Sequence, residues 1–139
     1  MSVYVLDTDT LTLFEEGHPT VLQRVEAHST SDLAITVLSV EEQLSGWYTR
    51  VRKAKNDTQL ALAYSSLAQA VRFLSRLQIL GFDEAAMRRC EQLRKAKIKI
   101  GRTDLRIAAV VLEHEAILVS RNLRDFRKVP GLQIEDWSA

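Results

Sequence analysis

The chain has 139 residues, with 19 lysines and arginines against 18 aspartates and glutamates, for a net charge of +1 at pH 7. That length suits one domain spanning 1–139 with a core of its own, and the near-neutral total excludes a protein that binds its partner by bulk charge alone. One cysteine, Cys90, excludes an internal disulfide framework, and no apolar run approaches the roughly 18 residues of a membrane span.

Taken in chain order, Val3 to Leu6 reads as a short buried strand that stops at Asp7. Thr10 to Glu16 reads as a helix ended by Gly17, and Pro19 opens another that carries Val21, Leu22 and Val25. Leu33 to Thr36 is a second strand, followed by a helix from Ser39 to about Arg52. Asp57 to about Arg76 is a long helix with Leu60, Ala63, Tyr64, Leu67, Ala70, Val71 and Leu74 at helical spacing. Gln78 to Leu80 is a third strand, and Asp83 to about Lys97 an amphipathic helix with Met87, Cys90 and Leu93 on one side. Asp104 to His114 is the next helix, Ala116 to Val119 a clear strand, and Leu132 to Ile134 a last one. Strands alternating with helices predict an α/β fold, a mostly parallel central sheet of four to five strands covered on both faces.

Charge is unevenly spread. Arg50, Arg52, Lys53 and Lys55 form one basic cluster, and a second basic belt runs from Arg88 to Arg106. Locally basic faces permit polyanion binding, although each charge taken singly reads as a solvated helix surface. Trp47 and Tyr48 read as core or interface residues, and Cys90 as core.

Four acids stand at element ends, and each has a structural reading of its own. Asp7, or Thr8, reads as the cap of the first helix, with Asp9 placed to favour its dipole. Ser39-Val40-Glu41-Glu42 matches a capping box, which would spend Glu42 on the helix start. Asn122 and Asp125 read as another cap and partner. Asp104 differs: Ile107, Ala108 and Val111 follow it by three, four and seven residues, so it points with the apolar face. A carboxylate facing the buried side needs a partner, such as Arg102, Arg106 or a metal ion.

Asp7 and Asp125 both follow strand ends, which in a parallel sheet lie at the edge where ligands bind. Carboxylates gathered at one edge repel one another unless a cation neutralises them. Mg2+ and Mn2+ prefer such oxygen donors, and a cation held in this way can activate water and clamp a phosphodiester.

These segments resemble the PIN-domain nucleases, and among them the VapC-type toxins of bacterial toxin–antitoxin pairs. The resemblance is carried by Val5-Leu6-Asp7-Thr8-Asp9, by Thr36 to Gly46, by Ile100 to Ala109, by Leu118 to Phe126, and by the ending Val129-Pro130-Gly131-Leu132 with Glu135-Asp136-Trp137. It implies a three-layer α/β/α PIN-like fold and an endoribonuclease dependent on Mg2+, with Mn2+ possible. The family's acidic quartet falls on Asp7, Glu42, Asp104 and Asp125, as metal ligands and catalytic residues. Ser120 and Asn122 match polar positions of the same site. Proximity to Asp104 makes Arg102 and Arg106 the candidates for substrate phosphates. The resemblance further implies an RNA substrate, a small antitoxin protein that covers the acids, and a toxin homodimer. No membrane attachment is expected. The lack of a leader-like start and the lone cysteine point to the cytoplasm.

Three other functions are weighed beside it: a PIN nuclease of RNA processing, a catalytically silent PIN-like module that binds RNA or protein, and a haloacid-dehalogenase-like phosphatase. The phosphatase reading fits poorly, because Asp7-Thr8-Asp9-Thr10 is followed by Leu11 where that family has a hydroxyl or valine.

Overall fold

In the computed structural model, which describes residues 2–139, five short strands lie side by side and all run parallel. They are β1 (Tyr4–Leu6), β2 (Leu33–Thr36), β3 (Gln78–Leu80), β4 (Ile117–Val119) and β5 (Gln133–Glu135), in spatial order β3-β2-β1-β4-β5. The helices between them are α1 (Thr8–Glu15), α2 (Pro19–Glu26), α3 (Val37–Lys53), α4 (Asp57–Leu74), α5 (Glu84–Lys95), α6 (Arg102–Glu113) and the short α7 (Leu123–Phe126).

The sheet has two covered faces because its side chains alternate. Val5, Ala34 and Leu118 face one way, into a core with Ala108, Val111 and Phe126 on α6 and α7 and with Cys90 and Leu93 on α5. Leu6, Ile35 and Val119 face the other way, against Leu11 on α1, Val21 and Val25 on α2, Leu74 on α4 and the fully buried Trp137. This is the expected three-layer α/β/α arrangement, with every strand parallel. No helix among the described residues is long and apolar enough to cross a membrane.

Chain order and spatial order together place the site. From β1 the chain steps outward through β2 to β3, then crosses back and continues outward on the other side through β4 to β5. The reversal leaves a crevice between the carboxyl ends of β1 and β4, the position where open parallel sheets bind ligands. Asp7 leaves β1 there with its N–H bonded to Val119 O at 3.0 Å, and Ser120 leaves β4 beside it.

Several element starts differ from the sequence reading by one or two residues: α6 begins at Arg102, not Asp104, β1, β4, β5 and α5 each begin one residue later, and the starts of α1 and α3 bear on the site. Helix α1 begins at Thr8, because Asp7 is the cap: its Oδ1 accepts from Thr10 N at 2.8 Å. Helix α3 begins at Val37, with Thr36 Oγ1 accepting from Ser39 N at 3.3 Å. The capping box expected at Ser39 is therefore not formed. Strand β2 runs straight into the helix, so Thr36 takes the cap and Ser39 is already in the first turn, fully buried. Glu42 is thereby released from any capping duty. Asp83 caps α5 through Ala86 N at 2.9 Å, and Gly17 ends α1 in the left-handed conformation, φ 77°, that a residue without Cβ adopts at no steric cost.

Candidate active site

A cleft of about 500 Å3 opens over the β1–β4 crevice and is lined by Asp7, Thr8, Asp9, Thr12, Glu42, Asp104 and Asn122. Three of the four candidate acids thus share one cavity, delivered by three separate elements: the end of β1, the second turn of α3 and the first turn of α6. Asp125, on α7, is near enough for its charge to bear on Asp104.

Asp7 is the buried member. Loss of solvent pushes its carboxyl above the usual aspartate range, against hydrogen bonds from Ser120 and from the backbone and side chain of Thr10. Ser120 Oγ also accepts from Asn122 N at 2.9 Å, so one buried hydroxyl ties the β1 acid to the loop after β4. Asn122 Nδ2 in turn donates to Asp125 Oδ2 at 3.1 Å, and Lys128 Nζ lies 3.5 Å from Oδ1. That hydrogen bond first, then the Lys128 charge, holds the Asp125 carboxyl below its usual range.

Asp104 is the opposite case. Burial, then the charges of Asp7, Glu42 and Asp125, push its carboxyl up to about 6. Nothing positive offsets them. Arg102 and Arg106 are the arginines expected beside it, yet neither is ion-paired with it among the described residues. Helical geometry explains this: residues two apart are separated by about 200° around the axis, so both neighbours point away from Asp104. They line a different groove, of about 700 Å3, where the Arg106 guanidinium lies 5.7 Å from the centre of the Phe82 ring.

Glu42 is held from α1. Thr8 Oγ1 lies 2.5 Å from Glu42 Oε1 and 2.9 Å from Ser39 Oγ. The single threonine proton goes to the carboxylate, so Ser39 must donate to Thr8. Sequence reading offered Thr8 only as an alternative helix cap, although its place directly after Asp7 on the cleft-side turn is the signal that it belongs to the site. Replacing it with the isosteric valine should leave the fold intact and lower turnover about 10- to 100-fold, the usual cost of losing a residue that orients a ligand. Steady-state kinetics of Thr8→Val against wild type checks this. Asp9, read as placed to favour the dipole of the first helix, makes an exposed two-bond pair with Arg121, 2.7 and 3.1 Å.

The donor set fits a hard divalent cation. It is entirely oxygen, its negative charge is uncompensated at Asp104, and its members come from rigid element ends. No three His, Cys, Asp or Glu side chains among the described residues are drawn close enough to hold an ion as they stand. Neutralising the repulsion that raises Asp104 is what would bring them together.

A family model for the PIN domain matches residues 4–132. The chain belongs to the PIN-domain family. Among similar PIN proteins is the tRNA(fMet)-specific endonuclease VapC of Salmonella typhimurium, 27% identical over 141 residues covering 99% of each chain. Ribonuclease VapC2 of Rickettsia felis is 27% identical over 143 residues, covering 97% of this chain and 98% of the relative. A DNA-bound VapBC complex from Salmonella typhimurium contains a chain that superposes with a TM-score of 0.79 at 28% identity, 99% of each chain being covered. A VapBC2 complex from Rickettsia felis, bound to a DNA fragment from its promoter, gives 0.70 at 26% identity over 97% of this chain and 98% of the other.

Proposed function

We propose that this PIN domain is a VapC-type endoribonuclease, the toxin of a toxin–antitoxin pair, which hydrolyses RNA phosphodiesters with a divalent cation held by Asp7, Glu42, Asp104 and Asp125. The observation that carries the reading is that Asp7, Glu42 and Asp104 reach one cleft from three separate elements, β1, α3 and α6. The relatives named as VapC ribonucleases and the VapBC complexes support the toxin role and an antitoxin partner. The same reading takes Mg2+ as the ion in preference to Mn2+, a homodimer as the toxin's own assembly and the cytoplasm as its location.

Bound in the cleft, a divalent cation supplies Lewis-acid stabilisation of the charge that builds on the phosphate and promotes ionisation of water. The protein's part is positional. Asp7 is fixed by Thr10 and Ser120, Glu42 by Thr8, and Asp125 by Asn122. Asp104 presents its carboxylate to the same cleft from the first turn of α6, and a carboxylate oxygen of this set would accept the proton of the attacking water. The test is cleavage of RNA by antitoxin-free protein across a Mg2+ and Mn2+ series. Cleavage that needs the ion supports the reading, and intact RNA at every concentration refutes it.

Arg102 and Arg106 take a secondary role on this reading, receiving phosphates of the strand as it leaves the cleft towards the α5–α6 groove. Replacing both with alanine should weaken RNA binding and lower the slope of log affinity against log salt by about 1.4, two single-strand phosphate contacts. An unchanged slope removes both from the interface.

A further inference from the structure

Arg121 stands between two residues that the site already uses. Ser120, before it, bonds the Asp7 carboxylate and accepts from Asn122 N at 2.9 Å. Asn122, after it, lines the cleft and holds Asp125. The Arg121 carbonyl accepts from Leu123 N at 2.9 Å, so the backbone that carries the side chain is fixed on both sides. From there the side chain reaches α1, where Nε donates to Asp9 Oδ2 at 2.7 Å and Nη2 to Asp9 Oδ1 at 3.1 Å. Asp9 lines the acid cleft, and no other lysine or arginine among the described residues pairs with a residue that does.

An RNA strand meets an electrostatic problem at this cleft. A divalent cation offsets two of the four charges of Asp7, Glu42, Asp104 and Asp125, and the strand adds a phosphate charge at every nucleotide. Arg102 and Arg106 point into the α5–α6 groove, and Lys128 is engaged with Asp125 and with Lys99 O. Arg121 is the cation already anchored at the mouth. Its bond to Asp9 and the Asp9 charge, then the charges of Asp136 and Asp7, hold its guanidinium above the usual arginine range, so the acid in the crevice is within electrostatic reach. The Nε–Nη2 edge is a fork that takes two oxygens side by side, and the non-bridging oxygens of a phosphodiester match it as the Asp9 carboxylate does. The two side chains are 48% and 52% exposed, a setting in which an ion pair adds little to stability. Exchanging carboxylate for phosphate therefore costs the fold little.

We propose that Arg121 is a substrate-binding residue that leaves Asp9 to grip a phosphate of the RNA strand at the mouth of the cleft, with Asp9 holding the guanidinium in place while the cleft is empty. The inference rests on the nuclease reading above and adds a substrate contact to it. The phosphate gripped is a neighbour of the one cut, because the Arg121–Asp9 pair stands at the exposed rim and Asp7 lies in the buried crevice. Arg121 thus sets affinity and the placement of the strand, and Asp9 competes with RNA for it.

Fluorescence anisotropy with labelled oligouridine tests this on an Asp104→Asn background without added metal. Arg121→Gln should weaken binding about tenfold and lower the slope of log affinity against log salt by about 0.7, one single-strand phosphate contact. Arg121→Lys should keep the slope and lose about threefold, a point charge without the fork. Asp9→Asn should act in the opposite direction, tightening binding about threefold, and that gain should vanish when Arg121→Gln is added. The sign separates the two roles of the pair: one that only braced α1 against the loop after β4 would weaken binding whichever partner was removed. In the cutting enzyme with Mg2+, Arg121→Gln should raise KM about tenfold and leave kcat within about twofold. Weaker binding in Asp9→Asn, equal tightening by Asp9→Asn with and without Arg121→Gln, an unchanged salt slope in Arg121→Gln, or a loss in kcat with KM unchanged overturns the proposal and leaves the nuclease reading standing. Failure of the parent protein to bind or cut any RNA overturns both.

Discussion

Asp104→Asn should lose RNA cleavage by at least about 10³-fold and, in metal-free buffer, be more stable than wild type. The activity loss follows from removing one charged oxygen donor where several kcal/mol of transition-state stabilisation are at stake, each 1.36 kcal/mol being worth tenfold. The stability gain follows from the raised carboxyl. An unfolded Asp104 ionises near 3.8 and the folded one at about 6, so the folded chain holds the proton more tightly between those values. By linkage, the Asp104 contribution is most favourable below about pH 4 and is lost as pH rises through 6. Discounted for solvent screening, the charged carboxylate costs about 1–2 kcal/mol at pH 7, a few degrees in Tm. Asparagine keeps the shape and removes that cost. Thermal melts at pH 7, 5 and 3.5 check the sign: the gap between mutant and wild type should be widest at pH 7, about half as wide at pH 5 and nearly closed at about pH 3.5. Mg2+ should then raise the wild-type Tm and leave the mutant where it was, since ligand binding to the folded state alone is stabilising. A mutant that is inactive and also less stable at pH 7 would make Asp104 a structural residue.

Much of the cleft was legible in the chain because Asp7 directly follows β1 and Glu42 lies on the helix that β2 runs into. Strands β2 and β3 match the sequence reading residue for residue, and Asp104 betrayed itself by pointing with Ile107, Ala108 and Val111. The reading went astray at Ser39, where two capping patterns overlap: Thr36 with Ser39, and Ser39 with Glu42. Only the absence of a loop between β2 and α3 decides for Thr36, and a pattern of residue types does not carry loop length. It also set Arg102 and Arg106 beside Asp104, where nearness along the chain is separation around the helix. Thr8, read only as an alternative cap, was missed as the partner of Glu42 for another reason: that contact exists only once α1 and α3 are laid face to face by the sheet.

Asp7 does two jobs at once, and two substitutions should separate them. As a cap, it accepts from Thr10 N at 2.8 Å, and as a site residue it presents a buried charge to the cleft. Asparagine serves as well as aspartate at an N-cap, so Asp7→Asn keeps the bond to Thr10 N and removes the charge. It also replaces the second acceptor oxygen with an amide donor, to which the hydroxyls of Ser120 and Thr10 must reorient. Alanine removes bond and charge together, and strands two buried partners, Thr10 N and the Ser120 hydroxyl, whose residues are 2% and 0% exposed. The two variants should be equally inactive, on the order of 10³-fold below wild type, if charge is what catalysis requires. They should differ in stability by about 1–3 kcal/mol, alanine the weaker, because a lost cap and an unpaired buried donor carry that cost. Urea unfolding and single-turnover cleavage of the pair measure the two effects independently. Retained cleavage in Asp7→Asn would reduce Asp7 to a helix cap. Near-equal stability of the two variants would mean that Ser120 and Thr10 find other partners, and that the tie between the end of β1 and the loop after β4 is not what holds the crevice in shape.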